Sequence, residues 1–166
     1  MPAQERFDNL PATDPWAKKY GSELPPFPQQ SPNYKFVFAK PWGSVLYVSG
    51  YGPFWGDNIE YTGLVSDSNV DEGALAARLT TLNLLRIVQQ SLGTLDRVDQ
   101  ILEVEGFVAS APKFYNQIAV MNGCSQLLLD IFQHSGTHTR AALVAPWLTL
   151  NLMVEIKMSL SFFPPR

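Results

Sequence analysis

The sequence predicts an α+β domain built on one mixed sheet, with two helices on a single face. Three observations predict it. Two long stretches repeat apolar residues at spacings of three and four, as amphipathic helices do. Short β-branched and aromatic runs are interleaved with them, and the last run alternates apolar and polar residues almost to the C-terminus. The resulting order, β-β-hairpin-α-β-α-β-β, layers most simply as a helix pair on one sheet. Its other face would be bare. A sheet this apolar rarely leaves a face uncovered, so association of copies through the sheet is expected.

The first 32 residues differ from the rest. Seven of the 13 prolines fall there, from Pro2 to Pro32. Each fixes φ and removes an amide donor, which argues against a long helix or a central strand. Residues 1–32 are therefore read as an extended arm and 33–166 as the domain. Trp16, Tyr20, Leu24 and Phe27 are spread along the arm, and Trp16, Tyr20 and Phe27 are expected to dock it on the body.

Phe36–Phe38 and Val45–Val48 read as two strands joined by a turn at Pro41-Trp42-Gly43-Ser44. Gly50 to Asn69, rich in Gly, Asp and Asn, reads as loop or hairpin. Asp71 to Leu92 is the first helix, with Leu75, Leu79, Leu82 and Leu85 on its apolar stripe. Asn69 or Asp71 stands at its cap, and Gly93 at its end. Val98 to Ala109 reads as a strand. Ala111-Pro112-Lys113 is expected to open the second helix, which carries Ile118, Met121, Leu128 and Phe132 and stops at Gly136. Thr139 to Ala145 is a strand. In Leu150 to Phe162 the even positions share one face; Asn151, Met153, Glu155, Lys157, Ser159 and Ser161 share the other.

Composition narrows function by exclusion. The 166 residues suit one domain, and 46% hydrophobic with 16% charged content excludes whole-chain disorder. A net charge of −3 with no basic cluster argues against nucleic acid as partner. The single cysteine, Cys124, supports neither a disulfide framework nor a cysteine metal site. The N-terminus has no apolar signal run, and Ala141 to Val154 is too short and too interrupted to span a bilayer. A cytoplasmic protein without membrane association, metal or cofactor is the expectation.

No phosphate loop, dinucleotide fingerprint, zinc-protease helix or nucleophile elbow is present. Glu103 and Glu105 share a strand face and read as a solvated or interfacial surface. His134 and His138 flank Gly136 as helix-end histidines, as ligands or as an acid/base pair. Cys124 reads as a packed thiol. Arg140 shares a strand face with Ala142 and Val144, where a guanidinium calls for a carboxylate or phosphate. From periodicity alone, Arg140 and Glu155 read as a cross-strand ion pair or as a catalytic pair.

Several stretches in order resemble the RidA/YjgF family of reactive-intermediate imine deaminases, in a longer subgroup with a Pro-rich N-terminal segment. They are Leu46-Tyr47-Val48-Ser49-Gly50 with Pro53, Ala76-Ala77-Arg78, Asn83-Leu84-Leu85, Gly93 to Val98, Gly106-Phe107-Val108, Ala111 to Phe114, Val120 to Gly123, Thr139-Arg140-Ala141-Ala142 and Val154-Glu155-Ile156. The likeness spans about residues 25–162. It implies the RidA/YjgF fold, also termed chorismate-mutase-like, as a barrel-like homotrimer with clefts between subunits. It implies cofactor-free hydrolysis of a 2-imino acid or related enamine to keto acid and ammonia, or a related use of the same cleft. A non-catalytic trimeric small-molecule binder or protein-stabilising relative is the alternative. By the resemblance, Arg140 holds a small substrate's carboxylate and Glu155 positions or activates water. Asn122, Tyr34 and Gly50 match further binding positions.

Two departures from the family pattern stand out. Ala142 replaces a frequent cysteine, leaving its carbonyl as the available acceptor. The Ser-Gly turn continues as Tyr51-Gly52-Pro53-Phe54-Trp55, and these aromatics point to larger or flatter ligands.

Overall fold

In the computed structural model, residues 1–14, 19–21 and 23–165 are described. The expected contact of Trp16 lies outside the described residues. The elements are α1 (Ala3–Asp8), β1 (Ala39–Trp42), β2 (Val45–Tyr51), β3 (Phe54–Trp55), β4 (Asn58–Ile59), α2 (Val70–Leu92), β5 (Val98–Ala109), α3 (Gln117–Phe132), β6 (Thr139–Ala145) and β7 (Val154–Phe162).

The main sheet has strand order β1-β2-β7-β5-β6, and β3 and β4 form a separate hairpin. The last strand, β7, inserts between β2 and β5 and runs antiparallel to both. The crossover through α3 makes β6 parallel to β5, and leaves it as an edge. Alternation decides how β7 packs. Val154, Ile156, Met158 and Leu160 are buried toward the helices, while Glu155, Lys157, Ser159 and Ser161 face the other way.

Both long helices lie on the same face and pack on one another. Gly123 permits their close approach, because a Cβ there would collide with the Ala74 carbonyl. The core between helices and sheet holds Leu79, Leu82, Leu85, Val104, Met121, Leu128 and Ile156. Cys124 is fully buried within it, and burial pushes its thiol pKa up to about 11, as suits a packed group.

The Pro-rich segment opens with the six-residue helix α1, which its proline content did not announce. Phe7 from this helix is fully buried in the core. The Gln4 backbone N–H donates to Asp96, and the Gln4 side-chain oxygen accepts from the Leu95 N–H at 2.9 Å. Further along, buried Asp14 meets Arg78 at 2.6 Å. Tyr20 stacks on Trp55 with ring centroids 4.0 Å apart, and its hydroxyl donates to Glu60. Arg86 donates to the Pro25 carbonyl and lies 4.1 Å over the ring of Phe27.

Several expected boundaries move. The first strand is Ala39–Trp42, so Pro41 and Trp42 lie in the strand rather than in the turn; β1 is an edge, where a missing amide costs little. Residues 111–116 do not open α3. They form a turn with Lys113 at φ 66°, and Asn116 caps the helix by accepting from the Ala119 N–H. Ile118 is consequently exposed. The final strand begins at Val154, not Leu150, because Leu150 and Asn151 both take positive φ in a short 3₁₀ turn. Beyond that turn, Met153 is buried rather than on the open sheet face. Asn69 sits at the start of α2, but its side chain accepts from the Ser66 N–H and leaves the helix uncapped by it.

Among the described residues, no helix is long and apolar enough to cross a membrane.

Candidate functional site

The expected site residues divide into two groups. Arg140 and Ala142 lie on β6, on the helix-facing side, as their register partners Val104 and Gly106 show. Glu155 pairs opposite Phe107 on the other face. Strand β5 also separates β6 from β7. The reading of Arg140 and Glu155 as a cross-strand ion pair is therefore overturned: the strands are not neighbours and the side chains point to opposite faces.

Arg140 is held by α3. Its guanidinium donates to Asn122 Oδ1 at 3.0 Å and to Ser125 Oγ at 2.9 Å. Ser125 Oγ also lies 2.9 Å from His138 Nε2, while His138 Nδ1 is 2.6 Å from the Gly136 carbonyl. A carbonyl only accepts, so in the neutral ring Nδ1 carries the proton. Nε2 then accepts from the Ser125 hydroxyl, whose oxygen in turn accepts from Arg140. This line of bonds fixes one edge of the guanidinium and leaves other N–H groups for a ligand.

Ser125 has no assigned role in the sequence reading, and His138 stands there only as a helix-end histidine, a ligand or half of an acid/base pair. The signal was present: Asn122 and Ser125 are spaced i, i+3 on one helix face, and His138, Arg140 and Ala142 recur at every second position. In the structure His138 stands behind Arg140, bonded to Ser125 and to the Gly136 carbonyl. Glu105, by contrast, meets Lys157 at 2.9 Å on the open sheet face, the surface role expected of it.

The second group surrounds a cavity of about 770 Å³ at the far end of β2. Tyr34, Gly50, Tyr51 and Glu155 all line it, as do Phe38 and Phe54. A register shift between Val48 and Tyr51 breaks the β2–β7 ladder and turns Tyr51 toward the cavity. Gly50 lets Glu155 lie close at this break, since a Cβ there would stand 3.2 Å from Glu155 Oε1 and push the carboxyl aside.

Glu155 is half-buried and takes part in no ion pair or hydrogen bond among the described residues. Burial alone raises its pKa above the ordinary glutamate value. Burial also pushes the Tyr51 phenol up to about 12, so it stays protonated as a donor. Asn83 is buried in the cavity wall. Its amide N–H groups donate to the Gly52 carbonyl at 3.3 Å and the Phe54 carbonyl at 2.8 Å. Its oxygen has no partner among the described residues, and sequence reasoning gave Asn83 no role. No group of His, Cys, Asp and Glu that could hold a metal occurs among the described residues.

The chain thus presents a guanidinium framed by polar groups at one sheet edge, and an unpaired carboxyl in an aromatic cavity beyond another strand. Residues 19–160 match the family described as "YjgF/chorismate mutase-like, putative endoribonuclease". The chain belongs to this family. It is 34% identical over 141 residues to Protein TCP17 of Trypanosoma cruzi, covering 84% of this chain and 87% of that protein. Its fold is similar to the crystal structure of Atu1372 from Agrobacterium tumefaciens, a protein of unknown function, with TM-score 0.81, 31% identity and coverage of 96% and 94%. A "putative endoribonuclease" from Shewanella oneidensis gives TM-score 0.81 at 29% identity, covering 98% of this chain and 100% of that one.

Proposed function

We propose that the protein is a cofactor-free imine deaminase, hydrolysing a 2-imino acid to a 2-keto acid and ammonia in a cleft shared between subunits of a homotrimer. The observation that carries this reading is Glu155: a half-buried carboxyl, unpaired, with a raised pKa, on a cavity wall beside Gly50. A structural glutamate would find a cation or donors. One kept bare and made more basic is suited to taking a proton from water.

The steps follow from this placement. Arg140 forks onto the substrate carboxylate and holds the imine carbon near Glu155 of a neighbouring copy. Water adds to that carbon, and its proton passes to Glu155. The protonated imine thereby becomes a carbinolamine; Glu155 returns that proton to nitrogen, the C–N bond breaks as ammonia leaves, and the remaining hydroxyl proton passes to Glu155 and on to solvent as the carbonyl forms. No redox change occurs.

A site shared between copies is supported by the single chain, whose own Arg140 and Glu155 lie on opposite faces. The β6 edge beside Arg140 also exposes Val144 and Trp147, an apolar strip suited to another subunit. Ribonuclease chemistry is disfavoured by charge. Among the described residues lining the cavity in the single chain, Asp57 and Glu155 carry charge and no lysine or arginine does, which disfavours a phosphate backbone.

The test is ammonia release from imino acids made in situ by an amino-acid oxidase, on wild type and Glu155→Gln. The variant keeps shape and much of the hydrogen bonding but loses the base, so turnover should fall ~10²-fold or more while keto-acid binding persists. Ligand binding by the wild type without accelerated ammonia release would instead identify a non-catalytic small-molecule binder.

A further inference from the structure

The cavity beside Glu155 carries more aromatic surface than a three-carbon substrate would use. Five rings run in sequence through its wall. Tyr34 and Phe36 stack with centroids 5.4 Å apart, and Phe36 lies 6.0 Å from Phe38. Phe38 meets Tyr51 edge-on at 5.5 Å, and Tyr51 meets Phe54 at 5.2 Å. Tyr34 is 47% exposed and Phe36 52%, so these rings stack on one another at the mouth of a cavity rather than filling a core.

The polar groups orient what enters. With Asp57 and Glu155 as the charged groups lining the cavity, it disfavours an anionic end. Asn83 offers a buried acceptor and Tyr51 a donor in the wall. A ligand carrying a carboxylate at one end and a flat apolar group at the other therefore has one favourable direction: ring inward, carboxylate outward toward a neighbouring Arg140.

We infer that the substrate is an aryl-bearing 2-imino acid, whose phenyl- or indole-sized ring sits among Tyr34, Phe36, Phe38, Tyr51 and Phe54. This rests on the deaminase reading and narrows it. The ring slides between exposed aromatic faces, gaining burial and offset stacking together. The imine carbon is left at the Glu155 end.

The experiment compares imines generated by an amino-acid oxidase from phenylalanine, tryptophan and alanine. Their hydrolysis is followed as loss of trappable imine. In parallel, phenylpyruvate and pyruvate binding is measured by calorimetry, which needs no turnover. The expected result is kcat/KM for the aryl imines at least ~10-fold above the alanine imine, with phenylpyruvate binding more tightly than pyruvate. Phe36→Ala, at a position 52% exposed, should shrink that preference while leaving the melting temperature near wild type. Equal rates and equal affinities would overturn the aryl inference and leave the deaminase reading standing. Tight phenylpyruvate binding with no accelerated hydrolysis of any imine would keep the ring preference and overturn the deaminase reading. Neither binding nor hydrolysis would overturn both.

Discussion

Arg140 and Glu155 are charged residues of one sheet treated in opposite ways. Arg140 is framed: Asn122, Ser125 and, through Ser125, His138 hold its guanidinium from the helix side. Glu155 is bare, half-buried across the sheet among aromatic rings. The contrast matches two kinds of work. A group that binds a fixed anion gains from being oriented beforehand, since less freedom is lost on binding. A group that must take and return a proton gains from lacking partners, which would lower its basicity. On the proposed reading, their separation means that neither half suffices alone.

The sharpest way to break this comparison is to divide it between chains. Glu155→Gln and Arg140→Ala proteins should each be inactive. Co-expressed as mixed trimers, they should recover about a quarter of wild-type turnover, because random assembly pairs an intact Glu155 with an intact neighbouring Arg140 that often. If a site used both residues of one chain, the mixture would stay as inactive as its parts. Sedimentation of the wild type near the monomer mass of 18.5 kDa would remove the shared cleft altogether.

Arg140→Lys sharpens the binding half. Lysine keeps the charge but not the planar fork, so keto-acid affinity should fall by ~1.5–3 kcal/mol, on the order of 10–150-fold in Kd. Ser125→Ala should give a smaller loss of about 1 kcal/mol, since it removes one bond of the frame and leaves the charge in place. Calorimetric titration with a keto acid separates the two. Equal affinities for wild type and both variants would show that Arg140 binds no carboxylate.

The smallest effect concerns stability at the bare carboxyl. Its folded pKa is raised, so the folded chain holds this proton to higher pH than the unfolded chain does. The resulting penalty is absent below the ordinary glutamate pKa and grows as pH rises through the raised value. Glu155→Gln should therefore melt on the order of 1–3 °C above wild type at neutral pH, and level with it below about pH 4. A variant that melts lower at neutral pH would mean that Glu155 has a stabilising partner.

The comparison also marks what the sequence by itself determined. Helices α2 and α3 and strands β5 and β6 were legible because each carries its own period, and strict alternation from Val154 told β7's faces apart. The pairing of Arg140, Ala142 and Val144 on one strand face was equally local. What only the tertiary structure decided was adjacency. Alternation says which residues share a face but not which strand lies next to which. The insertion of β7 between β2 and β5 therefore separated Arg140 from Glu155, though they stand on consecutive strands in sequence. The turns at Lys113 and Leu150–Asn151 were illegible for a related reason: Lys113 and Leu150 take positive φ, which neither residue type favours, and surrounding contacts hold them there. Ser125 and His138 left only their spacings along helix and strand; that these meet around Arg140, and that Asn83 reaches the Gly52 and Phe54 carbonyls, depends on distance in space.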